Sequence, residues 1–181
     1  MIIPKTFNSF LFSSMMKKII IDKLQRITKN KKKLEAKLKV KITNRGKEVY
    51  IEGNPEDEYI TEKVIDALDL GFPYSVAILI KEEDNEFEIL NIKDYTNRKD
   101  LERVRARIIG KKGKALKTIS ELTNCCFELK DNSLGIIGEP ECMKSAIESA
   151  ISLIGGAKHG NVYARLEKHK IKPVKDLGLK K

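Results

Sequence analysis

Residues 107–114 read Arg-Ile-Ile-Gly-Lys-Lys-Gly-Lys, so two glycines bracket two lysines. Lysine supplies charge to an anion, and glycine lets backbone N–H groups approach it closely. A nucleotide-binding phosphate loop would read GxxxxGK followed by Ser or Thr, whereas this GxxG is followed by Lys114 and Ala115. The dinucleotide fingerprint GxGxxG also fails, because its first glycine and its preceding strand are missing. The residues therefore indicate phosphate chemistry outside both nucleotide motifs.

The elements that must position this loop are predicted from hydrophobic periodicity. Leu101, Val104 and Ile108 recur at helical spacing up to Gly110, and a second helix starts at or just after Gly113. The full predicted order is strand, helix, glycine loop, helix, strand, strand, helix. The corresponding segments are residues 87–92, 101–109, 114–122, 125–130, 133–138 and 140–154.

The first half of the chain repeats this plan at a fixed sequence offset, without gaps. Gly53 matches Gly138, Pro55 matches Pro140, and apolar positions such as Leu34 and Ile119 match too. The pattern predicts a duplicated α+β unit with a boundary near residues 80–86. Residues 25–28, QRIT, stand where the second half has its GxxG and contain no glycine. The first strand of this half is either residues 2–4 or residues 19–22, and the second position is favoured.

A GxxG between two amphipathic helices is typical of a KH-type clamp for single-stranded nucleic acid, which grips roughly four nucleotides. Backbone N–H groups and the helix dipole would favour phosphates, with Lys111 and Lys112 adding charge. Ile108 and Ile109 are expected to form an apolar shelf for unstacked bases. Basic residues dominate from 98 to 117, which indicates an RNA-binding surface, although a solvated helix face is the alternative. The run NKKK at 30–33 is left open between a non-specific phosphate contact and an ordinary surface.

Composition sets the remaining bounds. The chain has 181 residues and a net charge of +10, which favours a polyanionic partner. Its three cysteines have no CxxC spacing, so we expect buried thiols, no metal site and a reducing compartment. Residues 1–16 lack the features of a signal peptide, and translation starting at Met15 or Met16 is an open alternative. No run is long enough to span a membrane, so we expect a cytoplasmic protein with no membrane partner.

Three stretches resemble one known family: RVRARIIGKKGK, GIIGEPE and GGAKHGNVYARLEKHK. They are similar to the archaeal and eukaryotic two-KH-domain assembly factors of the small ribosomal subunit, the partners of the Nob endonuclease. The resemblance covers about residues 40–172. It implies an α+β fold of two tandem type I-like KH units, each a three-stranded antiparallel sheet packed on three helices, plus a C-terminal helical extension. The expected domains are residues 1–80 without GxxG, 81–157 with the GKKG loop, and 158–181 as a basic extension.

The resemblance also implies roles for individual residues and partners. The second KH unit would bind the precursor of small-subunit rRNA near its 3′ end, alongside the endonuclease, and archaeal members contact the α subunit of initiation factor two. The RNA backbone would be gripped by Gly110, Lys111, Lys112 and Gly113, with Arg107, Lys114 and Lys117 beside them. The extra C-terminal segment would contact RNA or dock on the domain through His159, Gly160, Tyr163 and Arg165.

Two other function classes compete with an RNA-binding assembly factor. A protein-interaction adaptor would use the KH units to bind partners, with the basic charge only keeping it on the ribosome. A nuclease or nucleotide-binding enzyme would need an acid cluster or a phosphate loop, and the sequence has neither. His159 and His169 have no nucleophile motif near them, so no catalytic residue, metal or cofactor is expected.

Overall fold

The chain divides into two units between Asp69 and Leu70. The computed structural model describes residues 17–169. Both units are α+β, with helices and one three-stranded antiparallel sheet each. The division precedes the expected boundary near 80–86, because Leu70 and Phe72 lie over Gly135 of the second sheet and the Phe72 ring packs edge-on against Phe87 at 6.2 Å. The assignment of residues 1–80, 81–157 and 158–181 to separate domains stays a prediction.

The first unit is a sheet of strand order β1-β3-β2 with helices that bury its apolar residues. Gly46 takes a positive φ of 58° in the turn of the β2–β3 hairpin, as the Asn-Arg-Gly sequence predicts. The first strand overlaps the favoured position at 19–22, whereas residues 2–4 lie outside the described residues. The elements are β1 (Lys17–Ile20), α1 (Leu24–Leu38), β2 (Lys41–Arg45), β3 (Glu48–Glu52) and α2 (Pro55–Leu70).

The second unit has strand order β4-β6-β5 and confirms the predicted order of elements around the loop. Short helical turns connect it to the first unit, and one 3₁₀ turn follows its first strand. Its elements are α3 (Tyr74–Ala77), α4 (Leu79–Glu82), β4 (Glu86–Asn91), α5 (Leu101–Ile109), α6 (Lys114–Thr123), β5 (Cys126–Lys130), β6 (Ser133–Gly138), α7 (Pro140–Gly155) and α8 (His159–His169).

From α1 in the first unit and α6 in the second, equivalent residues are separated by the same sequence offset as Gly53 and Gly138. Before these two helices the offset is different. Strands β2 and β5, and helices α2 and α7, begin and end at positions related by that offset. At the first strand the relation fails: Ile20 pairs with Glu48, whereas Asn91 pairs with Ser133, the equivalent of Glu48. Ile20 is closer to Glu48 along the chain than Asn91 is to Ser133. The first unit therefore lacks a segment between its first strand and its first helix.

The counterpart of α5 is therefore missing, and the counterpart of the glycine loop is part of a helix. Residues 25–28 lie in the first turns of α1, so the sequence QRIT continues a helix and forms no loop. Residues 17–69 contain two long helices, and the expected first unit of residues 1–80 also includes the short helix α3, so that this unit is a complete KH unit stays a prediction. Without glycine, nothing at this place favours a break in the helix.

The core of the second unit holds the helices that flank the loop. Buried Val104 and Ile108 of α5 pack with Ile136 of the sheet and Ile154 of α7. A second cluster joins Ile119 of α6 to other helices of the same unit. The loop is thus held at both ends by buried apolar contacts, which fixes where its backbone groups point.

Two structural absences apply to the described residues. Between residues 17 and 169 no helix is long and apolar enough to cross a membrane. The same range contains no group of three His, Cys, Asp or Glu side chains that could hold a metal ion.

Candidate nucleic-acid interface

The loop between α5 and α6 begins at a glycine that no other residue can replace without strain. Gly110 has φ 71° and ψ 178°, a conformation open essentially to glycine alone. Its N–H donates to the carbonyl of Ala106 at 2.8 Å, which ends α5. A Cβ added to Gly110 would lie 2.6 Å from the Cβ of Ala115. The first glycine of the motif therefore serves packing between the loop and α6.

The second glycine leaves space beside the start of α6. Gly113 has φ 76°, and a Cβ built on it would meet no described atom within 4 Å. No side chain in the described part of the chain caps the N-terminus of α6. The N–H groups of Gly113 and Lys114 donate to the carbonyls of Gly110 and Lys111, and the helix dipole is positive at this end. An anion can therefore approach the backbone closely at Gly113.

Lysine side chains surround this open helix end. Lys111, Lys112 and Lys114 are exposed, and Lys112 takes a left-handed φ of 55° that turns the chain into α6. Lys117 is exposed one turn further on, with Glu121 at 3.8 Å. Ammonium groups near the positive end of a helix dipole favour an anion. All four lysines predicted from sequence are exposed in the loop or the first turn of α6, and their role in binding stays a prediction.

The predicted apolar shelf is smaller than expected. Ile109 is 39% exposed at the end of α5, whereas Ile108 is 1% exposed and lies in the core. Ile108 therefore does not face a ligand, because the helical period places it one residue round from the exposed side. The expectation for Ile108 is corrected to a core role, and Ile109 alone is left for contact with a base.

Arg107 also differs from its expected place beside the phosphates. Its Nη2 donates a hydrogen bond to the carbonyl of Ala157, which follows α7. Its own carbonyl oxygen lies 3.0 Å from Nε2 of His159. Both contacts join the end of α5 to the segment before and at the start of α8. Arg107 is thus turned away from the loop and towards the C-terminal segment.

The C-terminal segment docks on the unit through α8. Val162 and Leu166 are buried with Ile119 of α6 and Leu153 of α7. Since α6 carries the loop at its N-terminus, α8 supports the helix that follows the glycine loop.

The polar residues of α8 make contacts within the same unit. The ring of Tyr163 packs edge-on against His159, with centroids 6.0 Å apart, and desolvation raises the pKa of its hydroxyl. Nη2 of Arg165 donates to Oγ of Ser152 at 3.3 Å. Gly160 is exposed, with open space where a Cβ would stand. Of the two roles expected for this segment, the geometry of His159, Tyr163 and Arg165 fits docking.

Truncating the α8 anchor should destabilise the protein. Leu166 is 4% exposed, so Leu166→Ala is expected to lower the free energy of unfolding by about 2–4 kcal/mol through lost burial and a cavity. Urea unfolding followed by circular dichroism measures this. Glu167→Ala, exposed on the same helix, is the matched control and should change the free energy by less than about 0.5 kcal/mol. Equal effects of the two substitutions would contradict the docking of α8.

Positive charge extends from the loop along α5. Asp100 caps this helix, its Oδ1 accepting from the N–H of Arg103 at 3.0 Å. Arg105 is half-buried and its Nη1 lies 3.5 Å from the carbonyl of Asp131. The exposed basic residues of this stretch are Arg98, Lys99, Arg103, Lys111, Lys112, Lys114 and Lys117. All seven are exposed, and that they form one RNA-binding surface stays a prediction.

Two features of the units were not found from sequence. The side chain at position 115 must be small for Gly110 to pack, and the alanine two residues after the motif is the only signal for it. In the first unit, Oδ1 of Asp69 accepts hydrogen bonds from the N–H groups of Asp22 and Lys23 at 2.9 and 2.7 Å. A carboxylate thus occupies the approach to the N-terminus of α1, and no local pattern indicates so distant a partner.

The cysteines fit the interpretation of inert thiols. Cys125 is buried, and desolvation raises its pKa to about 11. Desolvation also raises the pKa values of the partly buried Cys126 and Cys142. A thiol with a raised pKa is a poor nucleophile and metal ligand at neutral pH.

A helix–GxxG–helix packed on a three-stranded antiparallel sheet is the arrangement of a KH domain. Residues 86–171 match the model of the second KH domain of PNO1, described as a eukaryotic-type KH domain of type I. The chain belongs to the PNO1/Dim2 family of KH-domain proteins. It is 30% identical to Dim2p from Pyrococcus horikoshii, with a TM-score of 0.76 over 84% of this chain and 98% of that one.

Other relatives agree with this assignment. A chain from the a/eIF2alpha-aDim2p-rRNA complex of P. horikoshii has a TM-score of 0.79 and 28% identity over 88% of this chain and 96% of that one. The pre-rRNA-processing protein PNO1 of Saccharomyces cerevisiae is 32% identical over 140 residues, which is 72% of this chain and 51% of that protein. A KH domain-containing protein of Methanocaldococcus jannaschii is 30% identical over 110 residues, 60% of this chain and 48% of the relative. The chain spans about half the length of these two curated relatives.

Proposed function

We propose that this chain is a non-catalytic RNA-binding factor in the processing of small-subunit ribosomal RNA. Its second unit binds single-stranded precursor RNA near the 3′ end, and its first unit is a degenerate KH unit without a phosphate loop. Membership of a family whose yeast member is named a pre-rRNA-processing protein supports the process. The rRNA in the archaeal complex supports the ligand.

One observation carries the proposal: the uncapped N-terminus of α6, open at Gly113 and bordered by Lys111, Lys112 and Lys114. A phosphate placed there meets the positive end of the helix dipole and an ammonium group at once. The exposed Ile109 lies at the start of the same loop and offers an apolar surface to one base. A phosphate chain with splayed bases satisfies both features, which favours single-stranded RNA.

We also propose two protein partners for this chain. The archaeal complex that contains initiation factor 2α, aDim2p and rRNA supports contact of this chain with the α subunit of that factor. A Nob-type endonuclease, the partner that the sequence resemblance implies, would cut the RNA that this chain holds. The chain itself would position RNA for that enzyme.

Titration with RNA at several salt concentrations tests the proposed function. We expect a single-stranded 12-nucleotide RNA to bind more tightly than the same RNA in a duplex, because a duplex hides its base edges. With about four phosphates neutralised, log Kd should rise with log salt with a slope of about 3. Fluorescence anisotropy measures both. A flat salt response, or equal affinity for the duplex, would contradict the proposal and favour a protein-interaction adaptor.

A further inference from the structure

The first unit lacks the glycine loop but retains two lysines of the helix that follows it. Helices α1 and α6 end at the equivalent positions Leu38 and Thr123, and the equivalent side chains of Leu34 and Ile119 are both buried. The same register places Lys29 at the position of Lys114 and Lys32 at that of Lys117. All four of these lysines are exposed.

The N-terminus of α1 and its exposed lysine-bearing side differ in charge, and so in how well they could bind an anion. The Asp69 carboxylate already accepts the N–H groups of Asp22 and Lys23, so the approach to the helix N-terminus carries a negative charge. A phosphate contact on α1 is therefore favoured at side chains further along the helix and not at its N-terminus.

The side of α1 that carries Lys29 and Lys32 is suited to such a contact. Lys33 joins them at helical spacing, which places neighbouring Cβ atoms about 5–6 Å apart. Glu35 is the one acid within Leu24–Leu38, and it faces Lys31 at 4.0 Å. A solvated helix face would interleave both signs of charge, whereas this surface presents one.

We propose that Lys29 and Lys32, with Lys33 beside them, form a second contact for the RNA phosphodiester backbone. This contact rests on the proposed function and extends it. It does not depend on the RNA sequence, and it binds RNA outside the segment that the glycine loop holds. The internal repeat relates these lysines to Lys114 and Lys117 of the second unit. Two linked contacts on one RNA raise the affinity for long RNA without changing the affinity for short RNA.

RNA length separates the two contacts. The loop grips roughly four nucleotides, so a 5-nucleotide oligouridine reports on the second unit alone and a 30-nucleotide oligouridine reports on both. We expect Lys29→Glu/Lys32→Glu to bind the long RNA about tenfold more weakly and the short RNA unchanged. The salt slope for the long RNA should fall by about 1.4, the share of two phosphates. Lys144→Glu/Lys168→Glu, exposed on α7 and α8, makes the same charge change and is the control.

These affinities show whether the lysines of α1 contact RNA. Affinity for the long RNA equal to that of the control overturns the second contact, and so does an equal loss for both RNA lengths. If the unaltered chain binds neither RNA, the proposed function itself fails. A thermal melt checks the fold, and the neutral Lys29→Gln/Lys32→Gln variant must show the same preferential loss for the long RNA, about threefold.

Discussion

Replacing Lys111 and Lys112 by aspartate is expected to weaken binding of single-stranded RNA by about 100-fold. Both side chains are exposed beside the uncapped start of α6, so the change removes two ammonium groups and adds two carboxylates where phosphates approach. Aspartate tolerates the left-handed φ of 55° at position 112. The free energy of unfolding should therefore change by less than about 1 kcal/mol. Anisotropy with a 12-nucleotide RNA and urea unfolding measure the two quantities.

A control variant distinguishes the effect of the loop lysines on RNA affinity from the effect of the lowered net charge. Lys144→Glu/Lys168→Glu lowers the net charge by the same amount at exposed positions of other helices, and we expect it to weaken binding by less than about fivefold. RNA affinity that falls equally in both variants would show that only overall charge matters. Unchanged affinity in the Lys111/Lys112 variant would remove the loop from the binding site.

Replacing Gly110 by alanine is expected to lower the free energy of unfolding by about 3 kcal/mol. The new methyl group would lie 2.6 Å from the Cβ of Ala115 and 3.0 Å from its backbone nitrogen. The backbone conformation, with φ 71° and ψ 178°, adds strain for any residue with a side chain. Urea unfolding measures the loss, and a change below about 1 kcal/mol would show that the loop adapts freely.

Gly113→Ala is the matched comparison, because this glycine also has a positive φ but has open space around it. We expect it to cost about 1 kcal/mol of stability, from backbone strain alone. Its RNA affinity should still fall, since the added methyl group stands where a phosphate must approach the backbone. A second-site change, Ala115→Gly, should recover part of the stability lost in Gly110→Ala and none of that lost in Gly113→Ala.

Much of the second unit follows from its sequence. The helical spacing of Leu101, Val104 and Ile108 and the glycine after them predicted α5, and the predicted segments 125–130 and 133–138 correspond to β5 and β6. The loop was identified because GxxG between two helices combines local signals that agree. The lysines around Gly113 then follow from proximity along the chain.

The parts missed depend on contacts between distant segments. The sequence offset placed QRIT opposite the loop, but only the strand registers show that a segment is missing before α1 and that α1 is continuous. Arg107 was assigned to the loop by its neighbours, yet its guanidinium bonds to the distant Ala157. Ile108 and Ile109 are the same residue type, and their successive positions around the helix place the first in the core and expose the second. Each of these features depends on tertiary packing, which short sequence patterns do not predict.

Amide chemical shifts test the central claim most directly. An 8-nucleotide single-stranded RNA added to the isotope-labelled chain should shift the amide resonances of residues 111–114 more than any others in the second unit, because these residues border the open space at Gly113. The amide of Gly110 should move less, since its hydrogen bond to Ala106 at 2.8 Å is shorter than the 3.2 Å bond from Gly113 to Gly110. Shifts confined to other surfaces, with the Gly113 region unchanged, would contradict a phosphate-binding loop.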